Sequence, residues 1–101
     1  MIIYNVTLSI NPAMESSVLA WLRETHIPEV MATGLFQSNN MFKVIESHTE
    51  RSHNSYVIQY TLESWEKFND YASNHAAELQ SKTKLKFGEN VLAFRTFLEK
   101  I

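Results

Sequence analysis

The chain opens on a run, residues 2–10, that alternates without a break: Ile2, Tyr4, Val6, Leu8 and Ile10 share one side, Ile3, Asn5, Thr7 and Ser9 the other. A period of two marks a strand, because successive side chains on a pleated backbone point to opposite faces. The same period returns at Tyr56, Ile58, Tyr60 and Leu62, and again over residues 90–98, where Leu92, Phe94, Thr96 and Leu98 alternate with Val91, Ala93, Arg95 and Phe97. Residues 41–46 supply a shorter stretch, and the wholly polar run 47–55 reads as a hairpin loop.

Between the strands the period changes to 3.6. Asn11 offers an N-cap oxygen and Pro12 suits the first helical position; Met14, Val18, Trp21, Leu22 and Thr25 then fall on one side of a helix. Pro28 disfavours helical geometry at Ile27, which predicts a break or bend near His26 and a short second turn over 28–33. Ser64 caps another helix, whose stripe of Trp65, Phe68, Ala72, Ala76, Leu79, Thr83 and Phe87 stays in phase, with Asn74 a point where it can break. The only glycines, Gly34 and Gly88, follow these two helical segments, where a chain leaving a helix favours them.

The order is β-α-β-β-α-β. It predicts a single α+β domain over residues 1–101, of the ferredoxin-like, split β-α-β kind: a four-stranded antiparallel sheet with both helices on one face. Two helices leave the other face bare. If Tyr4, Val6, Leu8, Ile58, Leu62, Leu92 and Phe94 meet the helices, the bare face carries Ile3, Asn5, Thr7, Val57, Gln59, Thr61, Val91, Ala93, Arg95 and Phe97, with Phe42 and Val44 or their neighbours alongside. That mixture is too apolar for water and too polar for a dry core. A second copy packed face to face resolves it, giving a homodimeric α+β barrel with a two-fold axis.

Charge and composition exclude several functions. The formal net charge is −2, and the densest basic cluster, Lys82, Lys84 and Lys86, would be spread around a helix rather than lined up. No electrostatic footprint for nucleic acid results, and the central strand offers Val57, Gln59 and Thr61 where an RNA-binding sheet needs aromatics. The absence of cysteine removes disulfides and thiolate chemistry and suits a reducing cytoplasm. No apolar run approaches the ~20 residues that span a bilayer, and the opening segment reads as a strand rather than a signal peptide, so no membrane partner is expected. His48 and His53 lie in the polar loop, apart from His26 and His75, without a ligand set for a metal. Two scattered glycines make no phosphate cradle, and no cofactor is expected.

The opening Met-Ile-Ile-Tyr-Asn-Val-Thr, Trp21, the stretch His26-Ile27-Pro28-Glu29-Val30-Met31-Ala32-Thr33-Gly34 and the closing Ala93-Phe94-Arg95-Thr96 together resemble an uncharacterised bacterial family, domain of unknown function 4286. The likeness spans essentially the whole chain and implies a ferredoxin-like fold in the dimeric α+β-barrel group. It implies no activity. The wider group holds cofactor-free monooxygenases, haem-degrading monooxygenases, isomerases and members without known catalysis, among which fold cannot choose. Haem-degrading members use an Asn on the first strand and a Trp and a His on the second helix, types that Asn5, Trp65 and His75 supply. In those members the Trp and His would fall near Tyr71 and Ser81 of this chain, so the correspondence is not carried through.

Two groups of residues are candidates for a site. His26, at an expected helix end where the dipole favours its protonated form, has Glu29 and Trp21 close by; they can anchor a ligand or simply shape the bend. Arg95, with Asn5 and Gln59, is expected to point into the barrel, where a guanidinium binds a carboxylate bidentately or pairs with Glu46 or an acid of the other subunit. Tyr60 and Tyr71 complete the lining of a pocket between sheet and helices. Two functions stay open: a small-molecule binder or cofactor-free enzyme, and a non-catalytic dimeric module with a structural or regulatory role. An enclosed cavity of ~300 Å³ or more with convergent polar groups would favour the first.

Overall fold

The computed structural model describes residues 1–45 and 54–101. Four strands, β1 (Ile2–Ile10), β2 (Ser38–Lys43), β3 (Asn54–Leu62) and β4 (Val91–Glu99), form one antiparallel sheet in the order β2-β3-β1-β4. Helices α1 (Glu15–Trp21), α2 (Ile27–Ala32), α3 (Trp65–Asn74) and α4 (Ala76–Phe87) carry the two crossovers. The ferredoxin-like α+β fold is the one the sequence predicts, and among the described residues the helices' buried side chains all belong to one core with one face of the sheet.

That core follows from the alternation. Tyr4, Val6, Leu8 and Ile10 of β1 and Tyr56, Ile58, Tyr60 and Leu62 of β3 are buried against Val18, Leu22, Ile27 and Val30 of the first crossover and Tyr71, Leu79 and Phe87 of the second. Five rings, those of Phe36, Tyr60, Phe68, Tyr71 and Phe97, surround the Tyr4 ring with centroids 5.1 to 6.1 Å away. Offset and tilted aromatic pairs of this kind add to the burial of their area.

Local signals set the element ends. The Asn11 side chain accepts a hydrogen bond from the Ala13 amide at 3.1 Å, as its N-cap position predicts, while its own amide reaches the Asn90 side chain at 3.0 Å. Ser64 accepts from the Lys67 amide at the start of α3. Gly34 and Gly88 both adopt positive φ, 76° and 56°.

The structure corrects several expectations. Near His26, where a break or bend was expected, the first crossover is irregular but not interrupted, and the short second turn follows as α2. Leu22–His26 widens into a π-turn, in which the Ile27 amide reaches back five residues to the Leu22 carbonyl, and the helix runs on through Ala32. Strand β2 begins at Ser38, not Met41, because backbone pairing with β3 needs no apolar side chain and the Ser38 and Thr61 hydroxyls meet at 2.5 Å. Asn54 and Ser55, expected in the hairpin loop, open β3; the rest of that loop, with Glu46, His48 and His53, lies outside the described residues. The second helical stretch breaks at His75, where φ is −131°. There Tyr71 takes the buried position in place of Ala72, and Trp65 is 52% exposed.

The largest correction concerns β4. Val91, Ala93, Arg95 and Phe97 stand opposite Ile10, Leu8, Val6 and Tyr4, so they share the helix-covered face. Leu92, Phe94, Thr96 and Leu98 take the bare one. Both sets are largely apolar, so alternation could not tell them apart. The Asn11–Asn90 pairing settles it by putting Val91 across from Ile10.

Candidate functional site

Reversing β4 separates residues that the sequence grouped together. Asn5 and Gln59 lie on the bare face, where the Gln59 amide donates to the Asn5 carbonyl oxygen at 3.2 Å and the Asn5 amide donates to the Thr96 hydroxyl at 3.2 Å. Asn40 pairs with Gln59 in the same row, so four polar side chains cross the sheet as a band. A second row, Phe42, Val57, Thr7 and Phe94, runs beside it, with Phe42 and Phe94 51% and 65% exposed. None of the outward residues of the four described strands is charged.

Arg95 instead joins Tyr60, Tyr71 and His26 around a cavity of about 430 Å³ between the sheet and the helices. That volume lies within the usual range for small-molecule sites. Its floor is apolar, built from Val6, Leu8, Val18, Leu22, Val30 and Ile58. Exposed Gln80, Lys84 and Glu89 mark an opening between α4 and β4.

The polar groups are held by packing. Tyr60 is 2% exposed, and its hydroxyl has no hydrogen-bond partner among the described residues. Burial, with the neighbouring Tyr71 and Tyr4 phenols, pushes its pKa well above the usual phenol value. Burial raises Tyr71 to about 12 despite the nearby Arg95 cation. Tyr4 is raised by burial too, and is pulled back in part by the charge of Arg95 and a hydrogen bond to it. All three tyrosines are therefore neutral at pH 7.

His26 differs from expectation. The helix does not end there, so no terminal dipole favours its cation. Burial lowers its pKa, Arg95 lowers it further, and Glu29 opposes both. The imidazole is stacked on Trp21 with ring centroids 5.0 Å apart, and Trp21 meets Phe87 edge-on at 5.6 Å. Glu29 forms an ion pair with Lys82 at 2.6 Å. Trp21, His26 and Glu29 thus do lie together, as the sequence suggested, but around a neutral imidazole.

The site includes a residue that sequence reasoning placed only in the core, Tyr4. A tyrosine within an apolar alternation was the available signal, since a buried phenol usually finds a partner for its hydroxyl. Asn5, Trp65 and His75 do not converge: Asn5 faces away from the helices, Trp65 packs edge-on against Phe97, and His75 lies at the α3–α4 break beside Tyr71. Among the described residues, no three His, Asp or Glu side chains gather as metal ligands. No helix there is long and apolar enough to cross a membrane.

Comparison with known proteins agrees on architecture. A family model described as a domain of unknown function, DUF4286, matches residues 1–101. No curated protein matches the chain in sequence. Among solved structures, an ethyl tert-butyl ether d (EthD) family protein from Bacillus halodurans C-125 is similar, with a TM-score of 0.69, 15% identity and 100% of both chains covered. A dimeric ferredoxin-like protein from an uncultured marine organism gives 0.69 at 10% identity, over 99% of this chain and 97% of that one. HapK from Hahella chejuensis gives 0.70 at 10% identity, over 100% and 93%. At these identities the likeness concerns the fold alone.

Proposed function

The chain belongs along its whole length to the DUF4286 family, and on that premise we propose that it binds a small molecule in the cavity between sheet and helices, as a homodimer joined through the bare sheet face. The observation that carries the reading is the cavity itself, about 430 Å³ with an apolar floor and with His26, Tyr60, Tyr71 and Arg95 in its wall. A cavity that was merely loose packing would be lined by apolar atoms alone.

The dimer rests on the uncharged face. Four strands about 4.8 Å apart and roughly 25–30 Å long present about 500 Å² on each copy, on the order of 1,000 Å² for two, near the lower limit for a specific interface. A similar fold in a protein described as dimeric supports the same arrangement. The polar band from Asn40 to Thr96 also favours a second reading, a non-catalytic module in which polar side chains fix the register of the two copies.

A thermal-shift panel of aromatic acids, flavins, quinones, haem and lipids separates the two. A true ligand at 100 times its Kd stabilises the fold by about 2.7 kcal/mol. A panel in which nothing raises the melting temperature removes the binder reading and leaves the module.

A further inference from the structure

The cavity's polar groups differ in kind, and their arrangement restricts what can occupy it. Tyr60 is an uncharged donor buried beneath neighbouring rings. Arg95 is a permanent cation on an exposed edge strand, close enough to influence the titration of Tyr4, Tyr71 and His26. Among the described residues no carboxylate lies in ion-pair contact with Arg95, and Glu29 is engaged by Lys82 at 2.6 Å. The same cavity is lined by the rings of Tyr4, Tyr60 and Tyr71 and by an aliphatic floor.

We propose that the cavity takes a flat aromatic carboxylate, its rings against the tyrosines and the aliphatic floor and its carboxylate on Arg95. This rests on the binding reading above. A guanidinium matches a carboxylate with two parallel N–H···O bonds, which makes a carboxylate a better partner than a neutral amide of the same shape. A volume of about 430 Å³ lies toward the small end of the range for ligand sites, which suits two or three fused rings.

The test uses isothermal titration of the whole chain with 2-naphthoate and 2-naphthamide. The acid should bind at least tenfold more tightly than the amide. Arg95→Met should abolish that preference without weakening the amide; its exposed position makes it a mild change to the fold. Equal affinity for acid and amide overturns the ligand class while the cavity still binds. The class also falls if no naphthalene binds but another panel compound does. If nothing binds at all, the binding reading itself fails.

Discussion

The Tyr60 ring is held against those of Tyr4 and Phe36, with centroids 6.1 and 5.2 Å away, so the hydroxyl can be removed without disturbing the packing. Tyr60→Phe should therefore raise the stability of the ligand-free chain, by about 1 kcal/mol, or some 4–8 °C for a domain of this size. A thermal melt checks this, and a fall of similar size would mean that the hydroxyl is already bonded. His26 permits a pH prediction. Its pKa in the folded chain lies below the ordinary 6.5, so the unfolded chain takes up the proton first as pH falls. Stability is complete above pH 6.5 and declines as pH drops through the folded value. The melting temperature of His26→Gln should fall less than that of the natural chain between pH 7.5 and 5.5. Glu15 acts in a separate window. Its hydrogen bonds from Tyr56 and Asn54 hold its pKa below 4.5, so its contribution is lost only as pH falls through that lower folded value. The side chains at His26 were legible in the sequence, but the charge was not, because the dipole argument assumed a helix end that the π-turn removes.

At the level of elements, alternation and capping told most of the story and failed where two residue sets were equally apolar. Asn11, Ser64, Gly34 and Gly88 all occupy the capping or exit positions that their chemistry implied. Strand β4 was located correctly but turned the wrong way, since Leu92 and Phe94 look no less suited to a core than Val91 and Phe97. Its facing is set by long-range pairing with β1, to which the bond between Asn90 and Asn11, 79 residues apart in sequence, belongs, and no local pattern carries that information. Gly88 provides an element-scale test. Its φ of 56° with ψ of −131° is open to glycine and strained for other residues, although an added Cβ would meet nothing within 4 Å. Gly88→Ala should therefore destabilise the chain by about 1–3 kcal/mol through backbone strain alone. Chemical denaturation measures it directly, and an unchanged midpoint with an unchanged slope would show that the turn relaxes.

For the whole molecule, the bare sheet face was foreseen from the count of helices, and among the described residues no helix covers it, although Arg95 is not on it. Its lack of charge is what invites a twin. Phe94→Lys, placed among Phe42, Val57 and Thr7, would bury two cations in a symmetric pair and should convert a dimer into a folded monomer. Sedimentation at micromolar concentration reads the change, with circular dichroism to confirm the fold; a natural chain that already sediments as a monomer contradicts the pairing. The cavity opens between α4 and β4, along the rim of the sheet rather than through its uncovered side. A guest could thus enter and leave while the two subunits stay clasped. Its measured affinity should be the same in dilute and concentrated protein, and occupancy need not alter the partnership at all.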